Sequence, residues 1–310
     1  MFVGLITGRK RAAEGVPAGR GRRAGAALRG VAVAAAALTL AGCDTLASLN
    51  PFDTAEKYEM KVLPDVPAEQ VYDQGLGRLK NSDHAGAAKR FSDLSKNYPY
   101  SEWARRGLIM EAYTNYEAQN WEDAITASKS YLSKYPNTKD AAYAQYLFAM
   151  SNYNQIPDTS RDQDRAEKAL KALEELVQKF PKSEYSGDAR YRIQVARDQL
   201  AGSHMEVGRY YLERRNYVAA INRFRDVVAR YQTTRHVEEA LQRLTEAYMA
   251  LGITGEAQTA AAVLGHNFPD SPWYKDAYAL LKSGGLEPRE DGGSWISRAM
   301  KGLRVVALGE

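Results

Sequence analysis

An aromatic residue followed by proline recurs along this 310-residue chain and dictates where its helices stop. The steps are Tyr98-Pro99, Tyr135-Pro136, Phe180-Pro181 and Phe268-Pro269. Tyr231-Gln232 keeps the same phase, and the intervals are 37, 45, 51 and 37 residues. Proline has no amide hydrogen and its ring clashes with the preceding turn, so each step ends a helix. Ser101, Thr138, Ser183 and Ser271 follow each proline by two residues, with Thr233 or Thr234 after the fourth step. A hydroxyl there is placed to cap the next helix by accepting from its free amides.

Positions counted back from the steps complete the pattern. Ala87, Ala124, Ala220 and Ala257 share one phase, with Ala166 near it in the third unit. Phe91 and Phe224 share a second phase, and Gly75 and Gly208 a third. Small residues let antiparallel helices approach closely, and large ones fill the gap beside them. Small crossings, aromatic locks and a closing proline are the signature of tetratricopeptide (TPR) repeats. The fold class is therefore all-α, a TPR solenoid of about five helix pairs. The pairs fall at 67–80 with 84–97, 101–118 with 121–134, and 138–154 with 163–180. Next come 183–214 with 217–231 and 235–251 with 254–267, then a closing helix at 271–283. Gly202 is a potential break in the long fourth-unit helix, and residues 156–164 form a surface loop.

The chain's single cysteine, Cys43, closes the run Leu40-Ala41-Gly42-Cys43 behind an apolar stretch and an arginine-rich lead. Basic lead, short apolar region and small residues make an export signal. The four-residue pattern resembles a lipobox, in which the cysteine becomes the lipidated first residue. One acyl chain anchors only marginally and two or more anchor stably. The organisation that follows is a signal peptide at 1–42, an extended tether at 43–66 and a solenoid at 67–283. Residues 284–310 form a flexible joint and a short C-terminal amphipathic helix. Trp295, Ile296, Met300, Leu303 and Val306 of that helix form an apolar stripe. The stripe either docks on the last repeat or is offered to a partner.

Charge and chemistry narrow the function. The 42 basic and 38 acidic residues include seven and one in residues 1–42, leaving 35 against 37. A near-neutral body gives no reason to expect nucleic acid as a partner. His84, His204, His236 and His266 lie apart from one another, with no paired metal spacing. Asp158, Asp162 and Asp164 lack the spacing of a calcium hand. No cofactor is implied beyond a covalent lipid on Cys43. The reading is a binding scaffold rather than an enzyme. First helices of stacked pairs line an extended concave face. Here they carry Tyr72, Tyr113, Tyr116, Tyr143 and Tyr146, a candidate groove for an extended or aromatic-ended peptide.

Several runs carry a resemblance. They are Cys43 with Pro51-Phe52, Tyr98-Pro99-Tyr100-Ser101 with Trp103, and Ser160-Arg161-Asp162-Gln163-Asp164. Further on stand Phe180-Pro181-Lys182-Ser183-Glu184-Tyr185, Arg197-Asp198-Gln199-Leu200-Ala201, Tyr210-Tyr211 and Tyr217-Val218-Ala219-Ala220-Ile221-Asn222-Arg223. From Cys43 to about Ser283 the chain resembles the BamD (ComL) family, TPR lipoproteins of the outer-membrane β-barrel assembly machinery. The resemblance implies a lipid-anchored place on the periplasmic face of the outer membrane. It also implies binding of a BamA-like barrel insertase through the C-terminal repeats, with Asn222 and Arg223 in that half. Other lipoproteins of the complex are implied partners, and unfolded outer-membrane proteins are clients of the N-terminal repeats. Two departures stand out. Asp44, which retains some lipoproteins in the inner membrane, follows Cys43, and Gln232 replaces proline in the fourth unit. The alternative reading is another periplasmic TPR lipoprotein scaffold, a secretin pilot or a coordinator of cell-wall synthesis.

Overall fold

Every aromatic step folds in the same way. The aromatic amide closes the helix behind it, as Tyr98 N donates to Leu94 O, Tyr231 N to Val227 O and Phe268 N to Leu264 O. The aromatic carbonyl then accepts from the residue three ahead: Ser101, Thr138, Ser183, Thr234 and Ser271. Gln232 changes nothing in this geometry. Tyr231 holds a φ of −129°, against −131° at Tyr98, and the Gln232 side-chain Nε2 donates to Ala229 O at 2.7 Å.

The computed structural model describes residues 66–307, with side chains through Lys301. Cys43, Asp44, the signal and nearly all of the tether lie outside the described residues. Among those residues there are twelve helices and no strand. They are α1 (Ala68–Lys80), α2 (His84–Asn97), α3 (Glu102–Glu117), α4 (Trp121–Lys134), α5 (Ala141–Tyr153) and α6 (Asp164–Lys179). Then follow α7 (Ser186–Glu213), α8 (Tyr217–Arg230), α9 (Val237–Ala250), α10 (Thr254–Asn267), α11 (Pro272–Ser283) and α12 (Trp295–Ala307). All lie in one unit, Asp65–Glu310. Each helix packs on its chain neighbours up to α11, and α1, α3 and α5 also touch in series. This is the all-α TPR solenoid of five pairs with a closing helix.

The crossings carry the residues that the repeat demands. Ala87, Ala124, Ala166, Ala220 and Ala257 are fully buried. A Cβ on Gly75 would lie within 3 Å of the Phe91 ring, and one on Gly208 would do the same to Phe224. Both phenylalanines are fully buried, so close approach at these two crossings is what glycine supplies. Within four of the five pairs the turn uses one left-handed residue: Ser82, Gln119, Arg215 or Gly252. The third pair has the long loop instead.

Three expectations need correction. Ser101 and Ser271 do cap, accepting from Ala104 N and Trp273 N. Thr138 and Thr234 instead donate back to Tyr135 O and Tyr231 O, and Ser183 bonds Ser186. Their helices start three residues later, out of reach of these hydroxyls. Gly202 does not break α7. It makes room, since a Cβ there would meet His236 Nε2 at 3.3 Å and Thr159 Cγ2 at 3.4 Å. The 284–294 segment is held as a strap rather than left free. Arg289 N donates to Gln258 O, the Gln258 amide donates to Glu287 O, and Asp291 N donates to Thr259 Oγ1. Beyond the strap α12 docks, with Ile296 fully buried and Met300 nearly so.

Candidate functional site: an aromatic ladder and a divided α8

A residue five positions after each step reaches back to the first helix of the preceding unit. Trp103 lies 5.1 Å from the Tyr72 ring, and Asp140 pairs with Arg105 at 2.8 Å. Tyr185 meets Tyr143 at 5.3 Å and Tyr146 at 4.9 Å. His236 approaches Asp198, and Arg243 stands over Trp273 at 5.6 Å. The phase is visible in the sequence as Trp103, Tyr185, His236 and Trp273, two residues beyond the hydroxyls that follow the prolines.

This position decides how the candidate tyrosines assemble. Tyr113 and Tyr143 lie 6.5 Å apart, and Tyr185 joins Tyr143 to Tyr146, stacking on the latter with planes 25° apart. Tyr116 packs edge-on to Trp121 at 5.4 Å and its hydroxyl accepts from Asn154 at 3.2 Å. Tyr72 belongs to a separate cluster with Phe91 and Trp103, where Arg106 lies 4.8 Å over the indole. All five tyrosines are half-buried. Structure thus brings Tyr113, Tyr143 and Tyr146 together through Tyr185, keeps Tyr116 beside Trp121, and sets Tyr72 apart. Other first-helix apolar residues, Ile109 and Met150, are core.

Burial holds the Tyr143, Tyr146 and Tyr185 hydroxyls in the protonated form. Burial raises Tyr143, and neighbouring Tyr113 and Tyr185 add to it. Burial first, then the hydrogen bond to Asp188, push Tyr146 up to about 12. The Tyr146 hydroxyl donates to Asp188 Oδ2 at 2.9 Å, and Arg192 Nε donates to the same oxygen at 2.5 Å. Arg192 in turn lies 5.0 Å over Tyr153. Half-buried rings can stack on an apolar or aromatic side chain, and Tyr146, whose proton is given to Asp188, has its oxygen left to accept from a peptide amide.

Asn222 and Arg223 are both exposed on α8, but they serve different sides. Val218, Asn222 and Arg225 share one stripe, and Arg225 lies 5.1 Å over Trp295 of α12. Arg223 lines a cavity of about 350 Å³ with Arg161, Asp162, Gln163, Glu167 and His204. The third-unit loop and the α8 motif, 60 residues apart in sequence, therefore meet. Loop 154–163 is fixed there by Gln199 Nε2 donating to Pro157 O at 2.9 Å and Thr159 Oγ1 donating to Glu206 at 2.7 Å. His204 Nδ1 stands 3.5 Å from Asp226 without a hydrogen bond. Burial lowers its pKa, against the pull of Asp226. Among the described residues no three His, Cys, Asp or Glu side chains converge as a metal site, and no helix is long and apolar enough to cross a membrane.

The sequence matches a family model described as YfiO, outer membrane lipoprotein, over residues 64–264. Curated relatives include the outer membrane protein assembly factor BamD of Caulobacter vibrioides, 42% identical over 81% of this chain and 83% of that protein. The protein of the same name from Rickettsia prowazekii is 38% identical over 70% of this chain and 86% of its own length. That of Neisseria meningitidis serogroup A is 31% identical over 78% and 91%.

Proposed function

This chain belongs to the YfiO (BamD) family of outer membrane lipoproteins, and we propose that it is a non-catalytic scaffold for assembling outer-membrane β-barrel proteins. The observation that carries the reading is the meeting of Arg161–Gln163 with Arg223 around one cavity. In this reading, that side of the C-terminal repeats receives the barrel insertase. Arg223 and Arg161 present exposed guanidiniums there, suited to a carboxylate of the partner. Asn222 lies on the other side of α8 and contributes at the edge of α12.

The Tyr113, Tyr143, Tyr146 and Tyr185 ladder receives unfolded barrel clients, stacking on their aromatic side chains. Tyr116 and Tyr72 extend this surface toward the N-terminus. Cys43, acylated, holds the chain to the periplasmic face of the outer membrane. Other lipoproteins of the assembly complex join through the same scaffold, and no cofactor takes part.

The test is affinity purification of the full chain from detergent-solubilised membranes. Wild type is expected to recover a large β-barrel protein. Arg223→Glu is expected to recover it at least several-fold less, because the partner's carboxylate then meets a like charge. Undiminished recovery removes Arg223 from the interface. For the client surface, a peptide ending in phenylalanine is expected to lose affinity for Tyr185→Ala by about 1 kcal/mol, the worth of one aromatic pair. Cys43→Ala is expected to release a folded protein from membranes, and pelleting of that variant after a high-salt wash counts against the anchor.

A further inference from the structure

Among the described residues the second helices of adjacent units make no substantial contact with each other, so each pair of units leaves a groove between them, floored by a first helix. At the C-terminal end this chain fills its own groove. Helix α12 lies against α8 and α10. Trp295 Nε1 donates to the Tyr248 hydroxyl at 3.2 Å, and Ser294 Oγ donates to Glu256 at 2.6 Å. Arg225 covers Trp295, and Thr259 holds the strap. Leu241 and Leu244 belong to the same buried core as Ile296 and Met300.

The N-terminal units repeat this groove in register. Aligning helix for helix sets His84 on Tyr217 and Trp121 on Thr254. Ser92, Asp123 and Thr126 then fall on Arg225, Glu256 and Thr259, which are the residues that hold α12 and its strap. Ser92, Asp123 and Thr126 line a cavity of about 500 Å³ between α2 and α4 over α3. The floor differs in kind. Leu241, Leu244 and Tyr248 are replaced by Leu108, Glu111 and Asn115. Asn115 is only 6% exposed, and Ser95 Oγ is buried with no hydrogen-bond partner. Burial raises the pKa of Glu111, with Asp123 adding to it, against the pull of Ser92, Lys96 and Lys134. Lys89, Lys96 and Lys134 stand on the rim, and none is in an ion pair among the described residues.

The geometry points to this cavity as a docking seat for a helix of a partner protein, one with a polar seam facing Glu111 and Asn115 and acidic residues along the flank that meets the lysines. Three observations choose the occupant. The equivalent seat already holds a helix in this chain. Glu111 and Asn115 make the floor polar, and an apolar seam laid over them would strip their water without replacing it, at about 1–3 kcal/mol for each group left unpaired, so an apolar seam does not fit. A second copy's α12 does not fit either: its inward stripe is led by Ile296 and Met300, and it carries exposed Arg298 and Lys301 and no acid. The inference does not require the insertase or client assignments above.

The test uses the full chain in detergent and a fluorescein-labelled helical peptide with a Gln/Ser seam and a glutamate flank, followed by anisotropy. A matched peptide with a lysine flank is the control. The glutamate peptide is expected to saturate and the lysine peptide not to. Lys96→Glu/Lys134→Glu is expected to weaken the glutamate peptide about tenfold or more, since two attractive charges become repulsive. Asn115→Leu is expected to weaken it several-fold while the thermal midpoint stays within a few degrees, which separates lost recognition from lost fold. Equal binding of both peptides, no binding of either, or indifference to the lysine reversal overturns the proposal. Phosphatidylglycerol vesicles are the second probe: binding of vesicles but not peptide, abolished by the same reversal, assigns the lysines to a membrane surface and overturns the partner helix.

Discussion

The grooves at the two ends of the repeat array share a backbone and differ in contents. Between α8 and α10 the floor is Leu241, Leu244 and Tyr248, and the chain's own α12 is seated there with Ile296 at 0% exposure. Between α2 and α4 the floor is Leu108, Glu111 and Asn115, and a cavity remains. Helix lengths are the same in the two places, since α2 and α8 each have 14 residues, as do α4 and α10. Glu111 and Asn115, standing where the other groove has Leu244 and Tyr248, set a surface groove apart from one built into the core. TPR arrays need a cap at their ends, and here the C-terminal cap is a helix laid sideways into a groove.

Removing the cap is the largest way to break this comparison. Truncation after Gly285 exposes the apolar seat and deletes the buried side chains of Ile296 and Met300. Burying each such side chain is worth about 1.5–3 kcal/mol, so the expected loss is about 3–6 kcal/mol. Urea unfolding reads the loss, and light scattering is expected to show self-association through the uncovered seat. A truncated chain with an unchanged midpoint means that α12 is an ornament and the two grooves are equivalent.

The next effect compares the crossings themselves. Gly75→Ala and Gly208→Ala drive the same methyl into Phe91 and Phe224. Overpacking of this kind costs about 1–3 kcal/mol. Gly208 sits inside the array and Gly75 in its first described pair, where local fraying relieves strain. Gly208→Ala is expected to lower the global urea midpoint more than Gly75→Ala. Equal losses show that the first pair unfolds only with the rest.

Most of this architecture was legible in the sequence, because the repeat speaks through residues that have no alternative. Gly75, Gly208 and the buried alanines mark crossings that admit nothing larger, and α2, α4 and α10 run over the spans read from the steps. Caps were less legible. Thr138 and Ser183 look like Ser101, but the helix start is set by the turn, three residues on, and spacing alone does not reveal it. Gly202 looked like a breaker because glycine in a helix is costly. Its reason is lateral, a close approach by Thr159 and His236 from other elements. Of the candidate tyrosines, the ladder needed Tyr185, whose signal was a phase shared with Trp103 and Trp273. Arg223 stood out in sequence beside Asn222, yet a helix turns neighbours about 100° apart, so only three dimensions show them on different sides.

A smaller effect sharpens the comparison at the floor. Glu111→Leu gives the N-terminal groove one residue of the C-terminal type. A half-buried carboxylate loses part of its hydration, and its replacement by leucine is expected to raise the thermal midpoint, by about 1 kcal/mol of stability. The same variant is expected to weaken the glutamate-flanked peptide only if Glu111 contributes to the seam. A lowered midpoint means that the attraction of Lys96 and Lys134 outweighs the burial of the carboxyl.

The smallest effect separates the two ends by pH, because their buried titratable groups shift in opposite senses. His204 and His236, both in the C-terminal half, have pKa values lowered from 6.5, by burial first. Around His204 stand Asp226, Arg223, Arg230 and Glu167, and around His236 stand Asp198, Arg235, Arg209 and Glu239. The unfolded chain binds these protons more readily than the fold. Stability from this half is therefore full above pH 6.5 and is lost as pH falls through the lowered folded values. Glu111, in the N-terminal half, has its pKa raised from 4.5, by burial first. Here the fold binds the proton more readily, so stability is gained as pH falls through the raised value toward 4.5. Amide hydrogen exchange read peptide by peptide is expected to show α7 to α9 losing protection below pH 6.5 while α2 to α4 holds or gains. His204→Gln with His236→Gln is expected to flatten the first trend, and Glu111→Gln the second. Parallel loss of protection in both halves of the wild type means that the array unfolds as one unit and that the pH response belongs to neither groove.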